Sequence, residues 1–397
     1  MRFSTMTMAV LLLGTSLPAL AQTAPDGASE GEEGSDVIIV TARKREENLQ
    51  DVPLTIAVVG AATIEKANLD NVSDLAMQTP GFSYKQGFGR IGGGGGAGVR
   101  PSIRGMSSVV GAPNAAFFVD GVFVSDNIAS YQLDNLERVE VIKGPQSALF
   151  GRQTFSGAVN YVTRKPSDEW TGRIRATFAK FENQEISGYV SGPIVQDMLN
   201  AEINARFYTF GGDYRNGDLT PGDAIGDQRS FNIGGRLLFK PSDNFEALAS
   251  VGYSKDRDGG YVYNFQGSLK NNCFAPPIVA TIPFPRTPTA RRGFFCGEIK
   301  TPAQYTYNER EIEDAGYHGL DRKFFRSSLA MTARTDSGWS ATSITAFNRN
   351  TSVTGQDNTL LPSLNAAFAV DQARSKDFSQ ELKIFSPQDA AIRGMIG

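Results

Sequence analysis

Beyond Pro166 the apolar positions recur with a period of two. Between Trp170 and Lys180, Gly172, Ile174, Ala176 and Phe178 share one face, and Arg173, Arg175 and Thr177 share the other. The stretch "NAEINARFYTF" sets Ala201, Ile203, Ala205 and Phe207 against Glu202, Asn204 and Arg206. "QEISGYVSG", "RSFNIGGRLLFK", "FEALASVGY", "FFRSSLAMTAR", "GWSATSITAFN" and "FSQELKIFS" continue the alternation. Together they predict about eight strands of roughly ten residues, apolar outward and polar inward, the pattern of a transmembrane β-barrel wall. The connections agree. "PIVQDMLN", "PSDN" at 241–244 and "TDSG" at 335–338 are short, whereas 211–228, 255–323 and 350–376 are long. Short turns at one end and long loops at the other mark an outer-membrane barrel, and a soluble sandwich has no need of them.

Residues 51–166 read differently, as a compact α+β domain. "VPLTIAVVG" alternates like a strand. "TIEKANLDNVSDLAMQTPG" has helical spacing at Ile64, Ala67, Val72, Leu75 and Ala76, with Asn71 or Ser73 as a cap and Pro80-Gly81 as a stop. Extended pieces follow in "PSIRGM", "AAFFVDGVFV", "LERVEVIKGP" and "GAVNYVTRKP", and Asp120-Gly121 between apolar runs predicts a hairpin. Ahead of this domain stands "DVIIVTAR", a short strand-forming run with no neighbour close enough to make a hairpin. It follows "QTAPDGASEGEEGS" (22–35), which has no apolar periodicity and is expected to be a disordered tether. A strand on a tether either joins its own chain's sheet or adds to the sheet edge of another protein; spacing alone does not choose.

The first residues, "MRFSTMTMAVLLLGTSLPALAQ", have the three-part layout of a secretory leader cut after Ala21. The apolar stretch falls short of the roughly twenty residues a membrane-spanning helix needs. The formal charge of −3 gives no footprint for nucleic acid. Cys273 and Cys296 are one pair's worth in an exported chain, where disulfides persist, and a bridge between them is expected. The alternatives are two idle thiols or half of a metal site. His318 is the single histidine, which excludes a three-histidine metal site, and no nucleophile, base and orienting group come together. Glu137 and Glu140, flanking Arg138 and Val139 in a strand, read as sheet-surface ions. "RIGGGGGAGVR" (90–100) lacks the Lys-Ser/Thr of a phosphate loop. No catalysis, metal or cofactor is assigned.

"DVIIVTARKREENLQDVP", "PGFSY", "IRG", "FVDGV", "LERVEVIKGPQSALFGRQTFSGAVNYVTRKP" and, far downstream, "SQELKIF" occur here in the order in which they stand in the TonB-dependent receptors of Gram-negative outer membranes. The chain resembles that family nearly continuously over 36–166 and by pattern beyond, with Ser156 standing where the family has a second Gly. The resemblance implies a leader at 1–21, a linker at 22–35, a TonB box at 36–42, a plug at 43–166 and barrel strands over 167–397. Asp36, Val37, Ile38, Ile39, Val40, Thr41 and Ala42 would then add as a strand to the periplasmic domain of TonB, which transmits force from the inner membrane. Arg104 and Lys143 match plug positions that face acidic groups of the wall, with the partners expected in strands beyond this chain. The 90–100 loop becomes a flexible plug apex, and Tyr84, Phe88 and Arg90 become ligand contacts. A plugged barrel takes about 22 strands, so the expected fold is an α+β plug followed by an incomplete antiparallel barrel. The chain would be the N-terminal part of a longer protein or a truncated product. The implied activity is TonB-dependent uptake of a scarce small molecule, a ferric siderophore first among them, across the outer membrane and in contact with its lipid. An energy-independent porin-like or adhesin barrel and a non-functional truncated receptor are the alternatives. A receptor that also signals to a transcription regulator would need a longer segment before the box.

Overall fold

The structure, a computed structural model, describes residues 38–90, 99–106, 113–124, 128, 131, 133, 135–151, 153–212, 214–215, 224–260, 272–274, 293–295, 319–357, 368–388 and 390–397. The first part of this chain is α+β. Strands β1 (Ile39–Val40) and β2 (Glu47–Asn48) precede β3 (Thr55–Gly60), α1 (Ala61–Lys66) and α2 (Val72–Gln78). The paired strands β4 (Phe82–Arg90) and β5 (Val99–Ile103) come next, then β6 (Ala115–Val119), β7 (Val122–Val124), β8 (Leu136–Lys143), α3 (Ser147–Phe150) and β9 (Gly157–Thr163). Helix α2 starts at the expected cap. The Asn71 side chain accepts from the N–H groups of Ser73 and Asp74, and Asp74 returns a bond to the Asn71 N–H, a complete capping box. The β6–β7 hairpin turns at Asp120-Gly121, with φ of 50° and 78°, the left-handed pair of a type I′ turn.

These strands form a five-stranded sheet in the order β3-β8-β9-β6-β7, with β6 and β9 parallel and the other pairs antiparallel. Both faces are covered. On one, Val59, Ile64, Leu75, Phe117, Val139, Val141 and Val159 pack with the helices. On the other, Ala116, Phe118, Ile142, Phe150 and Ala158 pack around Ala42, so the segment after β1 is part of the core.

The wall follows as β10 (Thr171–Ala179), β11 (Asn183–Val195), β12 (Leu199–Phe210), β15 (Gln228–Ser242), β16 (Phe245–Asp258), β19 (Gly319–Arg334), β20 (Ser340–Asp357), β21 (Phe368–Phe385) and β22 (Met395–Ile396). They form one antiparallel sheet in chain order, open between β10 and β22. Two small hairpins, β13 (Tyr214–Arg215) with β14 (Ala224–Ile225) and β17 (Asn272–Phe274) with β18 (Gly293–Phe295), lie within the long connections. The alternation holds: Ile174, Phe178, Ile203, Phe207, Phe231 and Leu237 are exposed, while Glu202, Ser230, Asn232 and Arg236 on the opposite parity are buried.

Two expectations need correction. Most of the strands, β11 to β21 of the wall, are longer than roughly ten residues; β20 and β21 have 18 each, which shortens the connection expected over 350–376 to 358–367. Past Asn348 the sequence "RNTSVTGQD" is polar on both faces, so the period-two signal stops while the ladder of backbone bonds continues. Second, the connection between β10 and β11 is short although it lies at the end that carries the long ones. Phe181 and Glu182 close it with φ of 62° and 52°.

Candidate functional site

The expectation that nothing lies close enough to pair with residues 36–42 is overturned for its second half. Ile39 and Val40 pair antiparallel with Asn48 and Glu47. The intervening "TARKRE" carries no Gly or Asn turn signal, and Lys44 itself takes the left-handed conformation with φ of 64°. Asp36 and Val37 lie outside the described residues. Ile38 and Ile39 are exposed, whereas Val40 and Ala42 are fully buried.

Thr41 lies between those two buried side chains and faces Glu140. Its N–H donates to Glu140 Oε1 at 2.8 Å, and its hydroxyl lies 3.1 and 3.0 Å from the two carboxylate oxygens. Arg138 Nε donates to the same carboxylate at 2.8 Å, and Asn160 Nδ2 donates to the Thr41 hydroxyl at 3.1 Å. Glu140 is therefore no surface ion: it is fully buried, and Arg138 nearly so. The two charges neutralise each other where neither could stand alone. Glu137, one residue earlier on the other face, does remain exposed.

Lys44 extends this contact to the wall. Its Nζ donates to the Gly121 carbonyl at 3.0 Å, sits 4.5 Å from the Phe150 ring centre and lies 3.5 Å from Glu381 on β21. Burial lowers its pKa to about 8. Glu381 belongs to the "SQELKIF" motif, for which the sequence offered no role. Much of the rest of the seam between plug and wall is also polar, although Phe324 of β19 packs against the plug core. Lys165 pairs with Glu246 at 2.7 Å and Arg173 with Glu65 at 3.0 Å; Arg175 lies 3.6 Å from Asp70. Asn135 donates to Glu202, and Arg326 stacks on Tyr131 at 4.7 Å.

The partners expected for Arg104 and Lys143 belong to strands beyond this chain; within it their surroundings are those of the plug. Lys143 Nζ donates to the Pro80 carbonyl at 2.6 Å, and Arg104 is exposed, in left-handed conformation with φ of 54°. Tyr84 is a core residue rather than an open contact. It is buried edge-on against Phe117 at 5.7 Å, and burial pushes its hydroxyl pKa far up. Phe88 and Arg90 belong to β4, but their side chains, the glycine run at 91–98 and His318 lie outside the described residues. So do Cys296 and the side chain of Cys273; the backbone around Cys273 pairs with Gly293–Phe295.

An α+β domain fixed by ion pairs to the polar face of an antiparallel wall, apolar on its other face and with long connections at one end, is a plugged outer-membrane barrel architecture. Comparison with known proteins narrows this. Residues 48–158 match the TonB-dependent Receptor Plug Domain. The iron-regulated outer membrane virulence protein of Vibrio cholerae is 28% identical over 195 residues, covering 44% of this chain and 28% of that protein. The probable TonB-dependent siderophore receptor PirA of Acinetobacter baumannii is 25% identical over 316 residues, covering 69% of this chain and 40% of the relative. The crystal structure of the ferric yersiniabactin uptake receptor FyuA from Yersinia pestis superposes with a TM-score of 0.63 at 19% identity, covering 85% of this chain and 46% of that one. Residues 48–158 thus carry the plug domain of the TonB-dependent receptors, and beyond them the chain is similar to outer-membrane receptors of that family. It spans less than half the length of the curated relatives it matches.

Proposed function

We infer that this chain serves TonB-dependent uptake of a ferric siderophore across the outer membrane, with 43–166 as the gate and 167–397 as wall. In this reading 1–21 is a removable leader, 22–35 a tether and 36–42 the strand that TonB takes. The observation that carries it is the divided state of that strand, its Ile38-Ile39 end offered to solvent and its Val40–Ala42 end locked onto the plug. Among the described residues β1 is laddered on one edge only, to β2, and another strand can extend the other edge. The name of PirA, a probable siderophore receptor, supports a ferric siderophore as the cargo.

Replacing Ile39 with Pro removes a backbone donor and fixes φ. In cells that carry this variant, ferric-siderophore uptake is expected to fall to background while binding at the surface persists. Uptake at the unaltered rate would rule the reading out.

A further inference from the structure

The wall is recessed at one level of its inner face. Across four strands, Asn204, Gly234, Gly252 and Arg326 pair in one inward row, with Ser250 and Ser254 two residues to either side of Gly252. A Cβ at Gly252 would meet nothing nearer than 3.9 Å, and one at Gly234 would meet only the amide of Asn204, at 2.8 Å. Opposite stand Asp120, Tyr131 and Asn135 of the plug, and the cleft between has a cavity volume of about 100 Å³. At roughly 10–15 Å³ for each water-sized group, that is room for several such groups, the scale of a small polyol.

Small side chains alone would mean little, but two buried amides point to an occupant. Asn232 donates through Nδ2 to Ser254 Oγ at 2.9 Å, and Asn135 donates through Nδ2 to Glu202. Those bonds fix which way each amide faces. Both residues line the cleft and are only 6% and 7% exposed, yet neither Oδ1 has a partner among the described residues. Buried acceptors are satisfied in nearly all native structures. The charges around the cleft, by contrast, balance in sign, although Glu202 Oε2 is a further bare acceptor among the described residues. Arg236 lies 3.7 Å from Glu202, and Arg326 stacks on Tyr131 and hydrogen-bonds it. Asp120 accepts from the Thr163 N–H at 2.8 Å and its hydroxyl at 2.7 Å. What remains is a demand for donors in a neutral cleft with an aromatic side chain at its edge. An ion has no uncompensated charge to find there; a molecule with several hydroxyl groups has acceptors for them.

We propose that this cleft, between the β15–β16 recess and plug residues Tyr131 and Asn135, binds an uncharged polyhydroxylated small molecule of sugar-alcohol size. The proposal stands apart from the uptake reading, since it concerns occupancy midway along the wall and needs no TonB. Saturation-transfer NMR on the full chain, folded in phosphocholine micelles with sorbitol as the probe, tests it. Transfer to sorbitol is expected for the unaltered chain. It is expected to vanish in Gly252→Leu, which fills the recess, and independently in Asn232→Leu, which deletes a bare oxygen at similar volume. Gly235→Leu lies on the lipid side of the same sheet, where a Cβ meets nothing nearer than 3.7 Å, and should retain the signal. Fully O-methylated sorbitol, which has the same skeleton and no donor, should give none. Equal transfer to the methylated probe, or undiminished transfer in both Gly252→Leu and Asn232→Leu, would overturn the proposal. So would no transfer to sorbitol in the unaltered chain, which would leave ordered water as the occupant.

Discussion

Replacing Thr41 with Val removes one hydroxyl from a place where the structure says how much it holds. The side-chain shape is nearly kept, so Val40 and Ala42 stay packed and the Thr41 N–H still donates to Glu140 at 2.8 Å. What goes is the hydroxyl bond to a buried carboxylate, at 3.0 Å to its nearer oxygen, and the acceptor for Asn160 Nδ2 at 3.1 Å. A hydrogen bond to a charged group contributes about 1.5–3 kcal/mol, and a stranded buried donor costs a comparable amount unless water reaches it. Thr41 itself is half-buried, so water can make good part of the loss at its own position, and about 2 kcal/mol is the working figure. At 1.4 kcal/mol per tenfold, the local opening constant rises about 30-fold. Hydrogen exchange read by mass spectrometry on the peptide spanning residues 38–43 reports that opening directly. Exchange there should quicken by that factor, while peptides from β8 and β9 keep their rates. An unchanged rate at 38–43 would mean that Val40 and Ala42 hold the segment without help from Glu140. Acceleration throughout the plug would mean that the hydroxyl supports the fold rather than the docking.

Other outcomes follow from the same geometry. Lys44 has its pKa lowered to about 8 from 10.5, so the folded chain gives up this proton before the unfolded chain does. Its contribution to stability therefore rises with pH between those values and is flat below about 8. Urea midpoints across that window should climb less in Lys44→Met, and an identical climb would refute the assignment. At Gly157, where φ is 149°, an added Cβ would overlap the Ile142 carbonyl oxygen and come within 2.7 Å of Ile103 Cδ1. Gly157→Ala should cost about 3 kcal/mol or more, visible as a lowered thermal midpoint; an unshifted midpoint would show that the sheet yields there. We expect Cys273 and Cys296 to form a disulfide in the exported protein, stabilising by about 3 kcal/mol. Two alkylatable thiols in a non-reducing digest would exclude it.

The wall was legible because its two faces meet different media, so each strand repeats the same parity. Ile174 and Phe178 point to lipid and Arg173 and Arg175 to the plug, and the residues state this without help from the rest of the chain. The plug sheet gave a weaker signal for a physical reason. Both of its faces are covered, so β8 is buried at nearly every position, and a Glu in such a strand reads like any exposed carboxylate. Only the chain folding back at residues 40–42 places Thr41 over Glu140. The Lys44–Glu381 contact joins the two ends of the described chain, and no spacing rule reaches that far. Tyr84 misled because aromatic side chains near a glycine-rich apex resemble ligand contacts, while its partner Phe117 lies in another strand.

The position of β3 decides how the plug would meet a mechanical load. Tension entering at Ile39 first meets the two-residue ladder to Glu47 and Asn48, then the Thr41 contact, and then the strand Thr55–Gly60. That strand is the outermost of its sheet and is laddered on one side only, to β8. Drawing it away breaks one set of backbone bonds and leaves the other four strands joined. The chain thus arranges its attachments from weak to strong along the line of pull, so that a modest force can detach a margin of the domain while the remainder stays folded to receive it back.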